Sequence, residues 1–249
     1  MYWPLLQVVA VMKRRPPIRV YRRDAIEGLR TLDTGSARLV LADLPAAVTR
    51  ASFDRFPDLE GFFQESWRVL HPNGAVVALA ASFRFAVQVV EADAARFRYD
   101  LVWHKNRATG FLNARKGPLR AHEFILVFSK QQAVYNPQMT HGHTPINSNK
   151  GRKSTGVNYG AASGGRARSG ATDRYPRSVL TTATVGTTDP SRTHPQQKPQ
   201  ELMRWLVSTY SDRGDLVVDP YAGSGSTGVA CRDLGRRFIG FDDSFGWLP

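Results

Sequence analysis

The stretch that most limits what this chain can fold into lies near its C-terminus. Leu216-Val217-Val218 is an apolar run of strand length that stops at Asp219. A glycine-rich turn follows, Pro220-Tyr221-Ala222-Gly223-Ser224-Gly225-Ser226-Thr227-Gly228. Val229 to Arg237 reads as a helix with Gly235 near its end, and Phe238-Ile239-Gly240-Phe241 is a second apolar run that stops at Asp242. Strand, turn, helix, strand is the unit of a parallel α/β sheet. Glycines at such a turn let backbone amides approach a ligand at a helix N-terminus. An acid at the tip of the next strand is placed to accept hydrogen bonds from ribose hydroxyls.

Several occupants of such a crevice can be weighed. Gly223, Gly225 and Gly228 satisfy the G-x-G-x-x-G spacing of dinucleotide binders. A dehydrogenase, however, needs further strands to hold its nicotinamide, and few residues follow Asp242. A P-loop is excluded because no Gly-Lys-Ser/Thr follows the glycines. The bland alternative is a βαβ turn with glycines for packing alone.

The wording around the glycines adds a resemblance. Asp219-Pro220-Tyr221-Ala222-Gly223-Ser224-Gly225-Ser226-Thr227-Gly228 resembles the S-adenosylmethionine motif of the DNA amino-methyltransferases, which modify exocyclic amino groups of adenine or cytosine. Tyr221 and Ser226 are mild changes from the family's usual wording. His194-Pro195-Gln196-Gln197-Lys198-Pro199 resembles the motif that precedes it in the same family.

Composition narrows the partners. The chain has 249 residues, enough for one domain with a substantial core or for two small ones. Lys and Arg number 34 against 21 Asp and Glu, a net charge of +13 that attracts a polyanion, with nucleic acid the first candidate. A merely soluble basic surface is the alternative. The single Cys231 excludes an internal disulfide and has no Cys or His neighbours spaced for zinc, so no metal is expected. A reducing compartment, the cytoplasm of a bacterial or phage-infected cell, fits. Met1 to Met12 is apolar but too short to span a bilayer, and Lys13-Arg14-Arg15 follows it where a signal peptide carries its charge first. No membrane partner is expected. Met12 is a candidate natural start, and residues 1–17 are read as an N-terminal lead.

Upstream of the glycine unit the pattern continues to alternate. Ile18 to Tyr21 predicts a strand, and Asp24 an N-cap for a helix over Ala25 to Leu32. The resemblance implies that Asp24 contacts the cofactor's adenine, though capping alone also explains it. Ala37 to Ala42 predicts a buried strand ending in Asp43-Leu44-Pro45-Ala46. An acid at the C-terminal edge of a parallel strand faces the ligand crevice. At this site the resembled family carries an acid (or Asn or Ser), two prolines and an aromatic residue. The resemblance implies that Asp43 and the Leu44 carbonyl hold the target amino group, that Pro45 stiffens the turn, and that position 46 stacks on the flipped base. Leu44 replaces the first proline, and Ala46 replaces the ring. Stacking on an aromatic ring is worth roughly 1–3 kcal/mol per base. Three readings follow: another ring such as Phe53 or Trp103 stacks instead, activity is weakened, or the chain is a non-catalytic DNA-binding relative.

Asp58 predicts a cap for an amphipathic helix from Leu59 to Leu70, with a turn at Pro72-Asn73-Gly74 and a strand over Ala75 to Ala80. A helix over Ser82 to Arg96 and a strand over Arg98 to Trp103 come next. His104 to Glu123 then reads as a basic loop in which Lys105, Arg107, Arg115, Lys116 and Arg120 can meet phosphates. A solvated basic loop is the alternative. Its wording, with the strand Phe124 to Phe128, resembles phage and prophage enzymes of the same family. Residues 140–193 are rich in Gly, Ser, Thr, Lys and Arg without periodicity, and cannot build a core. They are expected to form a partly disordered insertion that touches DNA through Arg152, Lys153, Arg166 and Arg168; the alternative is a plain linker. A helix over Leu202 to Tyr210 leads into the glycine unit.

Together these features imply a Rossmann-like S-adenosylmethionine-dependent methyltransferase fold of the α/β class, in the permuted arrangement that places the target-amino motif before the cofactor motif. The catalytic domain is expected over 18–139 and 194–249, with 140–193 as target-recognition insertion. The resemblance implies cofactor contacts from Asp24, Lys198, Asp219, Pro220, Tyr221, Gly223, Ser224, Gly225, Thr227 and Asp242. The expected reaction methylates adenine amino groups in double-stranded DNA, within a restriction-modification setting; cytosine remains the alternative. A homodimer is compatible with this reading.

Overall fold

The computed structural model describes residues 16–46, 56–145, 170–186, 188–190, 192, 194 and 197–243. Among them, eight strands form one sheet: β1 (Ile18–Arg22), β2 (Ala37–Asp43), β3 (Leu70–Ala80), β4 (Phe97–Thr109), β5 (Arg120–Phe128), β6 (Val179–Thr182), β7 (Leu216–Asp219) and β8 (Arg237–Asp242). Their order is β1-β8-β7-β2-β3-β5-β4-β6. The strands from β1 to β3 run parallel, and β5 is antiparallel to both of its neighbours. This is the expected Rossmann-like architecture. Residues 1–15 of the proposed lead, Phe53, and Arg152, Lys153, Arg166 and Arg168 of the proposed insertion lie outside the described residues.

Five helices among the described residues cover the sheet: α1 (Ala25–Arg30), α2 (Leu59–Val69), α3 (Phe83–Ala92), α4 (Gln200–Tyr210) and α5 (Ser226–Leu234). Successive residues of a strand point to opposite faces, so the central strands feed two cores. Val40, Val76, Ala78, Leu126, Phe128 and Val218 pack against Leu29, Phe62, Phe63 and Phe85 from α1 to α3. Leu39, Leu41, Val77, Leu79, Ile125 and Val217 pack on the other face against Leu202, Leu206, Ala230 and Cys231 from α4 and α5. Three helix starts carry polar caps, at Asp24 and Asp58 as expected and also at Ser82. Asp24 accepts from the Ile26 and Glu27 amides, Asp58 from Gly61, and Ser82 from Phe85. Burial pushes the Cys231 thiol up, as suits an inert core residue.

Three expectations change. The turn at Pro72-Asn73-Gly74 is instead part of β3: register passes from Ala37↔Leu70 to Leu39↔Ala75, so two steps along β2 face five along β3. The extra residues bulge within the strand rather than end it. His104 to Glu123 is not one loop. His104 to Thr109 prolong β4 and Arg120 to Glu123 begin β5, making a hairpin that leaves only 110–119 as its connection. Cross-strand pairing here overrode the polar composition that suggested a loop. The predicted helix over Ser82 to Arg96 also ends early, at Ala92, and Ala94–Arg96 form a 3-10 turn.

Candidate active site

Chain direction fixes where a ligand can sit. From β2 the chain crosses through α2 to β3, on one side; from β7 it crosses through α5 to β8, on the other. β2 and β7 are neighbours, with Leu39↔Val217 and Val40↔Val218 in register. Their C-terminal ends therefore border the crevice at the point where the sheet order reverses. A cavity of about 770 Å³ opens there. Asp43, Leu44, Pro45 and Ala46 line it from β2, and Asp219, Pro220, Tyr221, Gly223, Ser224 and Thr227 from the glycine turn. Asp24 and Asp242 close it at the tips of β1 and β8. Position 43 and the glycine bend thus border the same hollow.

The glycine turn is held by its own acids. Buried Asp219 accepts the Tyr221 amide at 3.0 Å and the Thr227 hydroxyl. Burial raises its carboxyl to about 7, against the lowering effect of those two hydrogen bonds, and Asp43 and Asp242 add repulsion. Asp242 accepts the Gly223 amide at 2.8 Å, tying the turn to the tip of β8. Gly223 sits at φ 47 with a single atom within 4 Å of where a Cβ would stand, so bare backbone faces the cavity. Gly225 is not among the lining residues; at φ 74 it caps the N-terminus of α5. Gly228 serves packing, since a Cβ there would meet the Phe238 ring at 3.0 Å.

Asp43 stands at the head of a ladder of charges. The Lys198 ammonium lies 3.1 Å from Asp43 Oδ2 and 3.1 Å from Glu123 Oε2. Glu123 Oε1 in turn holds Lys105 at 3.0 Å. Both ammoniums lie within 6 Å of the Trp103 ring, at 5.7 and 5.8 Å, and its indole N–H donates to Thr182 at 2.8 Å. Burial alone opposes charge on Lys198, but Asp43 and Glu123 outweigh it and hold the ammonium charged. Burial likewise pushes Glu123 up, yet Lys198 and Lys105 more than offset it and leave its carboxyl below the usual range. Lys198, expected among the cofactor contacts, thus reaches Asp43 at the tip of β2. Lys105, expected on a phosphate-binding loop, is buried inside the network.

Sequence reasoning passed over Glu123. The signal was present: Trp103 and Lys105 share one face of β4 by period two, and Glu123 sits directly across from Trp103 on β5. His194 also lines the cavity, and its burial lowers its pKa although Asp242 pulls the other way. Pro195 and Gln196 lie outside the described residues.

The chain's relatives share this geometry's family. A family model described as DNA methylase (N6_N4_Mtase) matches residues 49–245. The chain belongs to that family. S-adenosylmethionine is the family's methyl donor, in keeping with the expected cofactor. The Type II methyltransferase M1.MboII of Moraxella bovis is 25% identical over 240 residues, covering 90% of this chain and 91% of that enzyme. The Type II methyltransferase M.HpaI of Haemophilus parainfluenzae is 24% identical over 237 residues, covering 90% of this chain and 69% of that one. Among solved structures, the PvuII cytosine-N4-specific DNA methyltransferase superposes with a TM-score of 0.62 at 16% identity, over 94% of this chain and 86% of its own. The M1.HpyAVI complex with S-adenosylmethionine superposes at 0.57 and 21% identity, over 91% and 92%.

One departure from the DNA methylase pattern is explained by packing. Leu44, where the resemblance led to expect proline, buries its side chain in the core cluster that includes Phe62 and Phe63. Ala46 is partly buried against the same core and offers no ring. Trp103 lines the cavity but is 3% exposed and occupied by the two ammoniums, so it is no platform for a base. Phe56 is different. It lines the cavity, is 52% exposed, and is steadied edge-on by Phe85 at 5.8 Å. Arg107 and Arg120 are exposed at the cavity wall, and Arg120 donates to the Ala81 carbonyl at 2.7 Å. Arg115 and Lys116 are exposed on the hairpin connection. Among the described residues no cluster of acidic, His or Cys side chains could hold a metal, and no helix is long and apolar enough to cross a membrane.

Proposed function

We propose that this DNA methylase transfers the methyl group of S-adenosylmethionine to the exocyclic amino group of adenine in double-stranded DNA. The observation that carries the reading is the shared cavity of Asp43 and the Gly223 turn at the switch point of the sheet. The cavity suits the cofactor chemically: a bare glycine backbone beside a helix N-terminus, with Asp24 and Asp242 at neighbouring strand tips as hydroxyl and amine acceptors. When bound, S-adenosylmethionine supplies an activated methyl on sulfur. The chain's own contribution is alignment and exclusion of water. The Asp43 carboxylate and the Leu44 carbonyl accept hydrogen bonds from the two amino N–H groups and turn the nitrogen lone pair toward the cofactor side. Lys198 fixes the carboxylate in place from behind. The target base leaves the stack to reach Asp43.

Adenine is preferred because the wording of 104–128 resembles that of adenine enzymes. Cytosine is the second reading, favoured by the likeness to the cytosine-N4-specific PvuII enzyme. A tritiated methyl-transfer assay with nucleoside analysis of the product separates them. N6-methyladenine supports the proposal; N4-methylcytosine replaces the base but keeps the chemistry. Asp43→Ala is expected to cut the rate by about a hundredfold or more while S-adenosylmethionine still shifts the melting temperature. If only an Ala46→Tyr variant transfers label, the wild type is a DNA-binding relative. Sequencing DNA from an expressing host gives the recognition sequence.

A further inference from the structure

The hairpin of β4 and β5 carries an apolar group that belongs to neither core. Gly110, at φ 88, opens a 3-10 turn over Phe111–Asn113. Phe111 is 76% and Leu112 84% exposed, and Leu119 on the return side is exposed too. The tip is nevertheless a held shape. The Asn113, Ala114, Lys116 and Gly117 amides all donate to carbonyls within the connection, at 2.8 to 3.1 Å. At its root Asn106 accepts from the Thr184 amide at 2.8 Å and the Thr184 hydroxyl at 3.1 Å. Burial of apolar side chains is favourable, so two of them fixed in water point to a surface that covers them.

Charge indicates which surface. Exposed Arg107, Arg115, Lys116 and Arg120 lie on the same hairpin as the apolar pair. Cations around an apolar wedge match a nucleic acid duplex, with phosphates outside and stacked bases within. A second copy of this chain, itself at +13, is the poorer match. Position indicates where on the duplex. Arg107, Ala108, Thr109 and Arg120 line the cavity. Phe111 is two residues beyond Thr109, at most about 7 Å of chain. Base steps are about 3.4 Å apart, so the tip reaches the position next to a base held in the cavity.

We propose that Phe111 and Leu112 form a wedge that enters the duplex beside the target base and fills the space it vacates on swinging into the cavity. This rests on the methyltransferase reading above. Extrusion costs the stacking and pairing of one base, and an apolar side chain in the gap recovers part of that cost.

The test compares the wild type with a Phe111→Ala/Leu112→Ala variant in single-turnover methyl transfer. The probes are a duplex carrying the sequence found methylated in the expressing host, and the same duplex with an abasic site opposite the target. On the paired duplex the variant is expected to lose about tenfold or more, and on the abasic duplex less than about threefold, because extrusion there is already cheap. Phe111→Trp is expected to retain the wild-type rate. Equal loss on both duplexes, or no loss on either, overturns the wedge. So does a wild type that sediments as a dimer and a variant that sediments as a monomer, which assigns the tip to a second copy. A wild type that labels neither duplex overturns the methyltransferase reading, and the wedge with it.

Discussion

Asp43 cannot be understood apart from Lys198, nor Lys198 apart from Glu123. Each buried ion here is tolerable only because the next one compensates it. Glu123→Gln leaves Lys105 and Lys198 with less compensation and is expected to destabilise the fold by about 3–5 kcal/mol at neutral pH. The pH dependence follows from the lowered Glu123 carboxyl. Between that lowered value and the ordinary 4.5 the unfolded chain binds more protons than the folded one, so stability rises with pH. The stabilisation is complete above 4.5 and is lost as pH falls through the folded value. Urea melts should therefore show the variant's deficit at pH 7 shrinking toward strong acid; a deficit independent of pH would contradict the network. Phe56 belongs at the same scale, as the ring best placed to replace what Ala46 lacks. Phe56→Ala should raise the KM for DNA by about tenfold to a hundredfold, matching roughly 1–3 kcal/mol of stacking, with cofactor binding unchanged. Adding Ala46→Tyr to that variant should restore affinity.

Among the elements, the glycine unit and its flanking strands are positioned by close backbone approach. Gly28 of α1 lies against Phe241 of β8, and a Cβ there would stand 2.4 Å from the ring. Gly240 meets Ala222 in the same way, at 2.8 Å. Gly28→Ala should therefore move α1, and with it Asp24, away from the tip of β8. The expected cost is about 1–3 kcal/mol in stability, together with weaker S-adenosylmethionine binding by calorimetry. The elements also differ in how legible they are. Short apolar runs bounded by acids mark β2, β7 and β8 almost to the residue, because burial on both faces leaves a run no polar position until its end. Polar caps likewise mark α1, α2 and α3. The β4–β5 hairpin resembles a loop in sequence because its outer half is exposed and basic, and cross-strand pairing has no local signature there.

For the whole molecule, the net charge of +13 is expected to set how it meets DNA. Removing one cation that binds a phosphate should lower the salt dependence of binding by about 0.9 in the logarithmic slope. Arg115→Ala/Lys116→Ala is expected to reduce that slope by about two, whereas the apolar tip variant should leave it unchanged; an unaltered slope in the first would remove those residues from the interface. Sequence by itself determined the parallel strands β1, β2, β7 and β8, the glycine turn, the acid at position 43 and the family they resemble. These depend on local pattern, on periodicity and on residues adjacent in the chain. Tertiary structure alone decided that Lys198 and Glu123 back Asp43, that Lys105 is buried rather than exposed, and that Phe56 reaches the cavity. Lys198 and Asp43 are 155 positions apart (198 minus 43), and only the fold brings the segment before α4 to the tip of β2. Electrostatic and stacking partners are chosen by distance in space, and a linear pattern carries no measure of that distance.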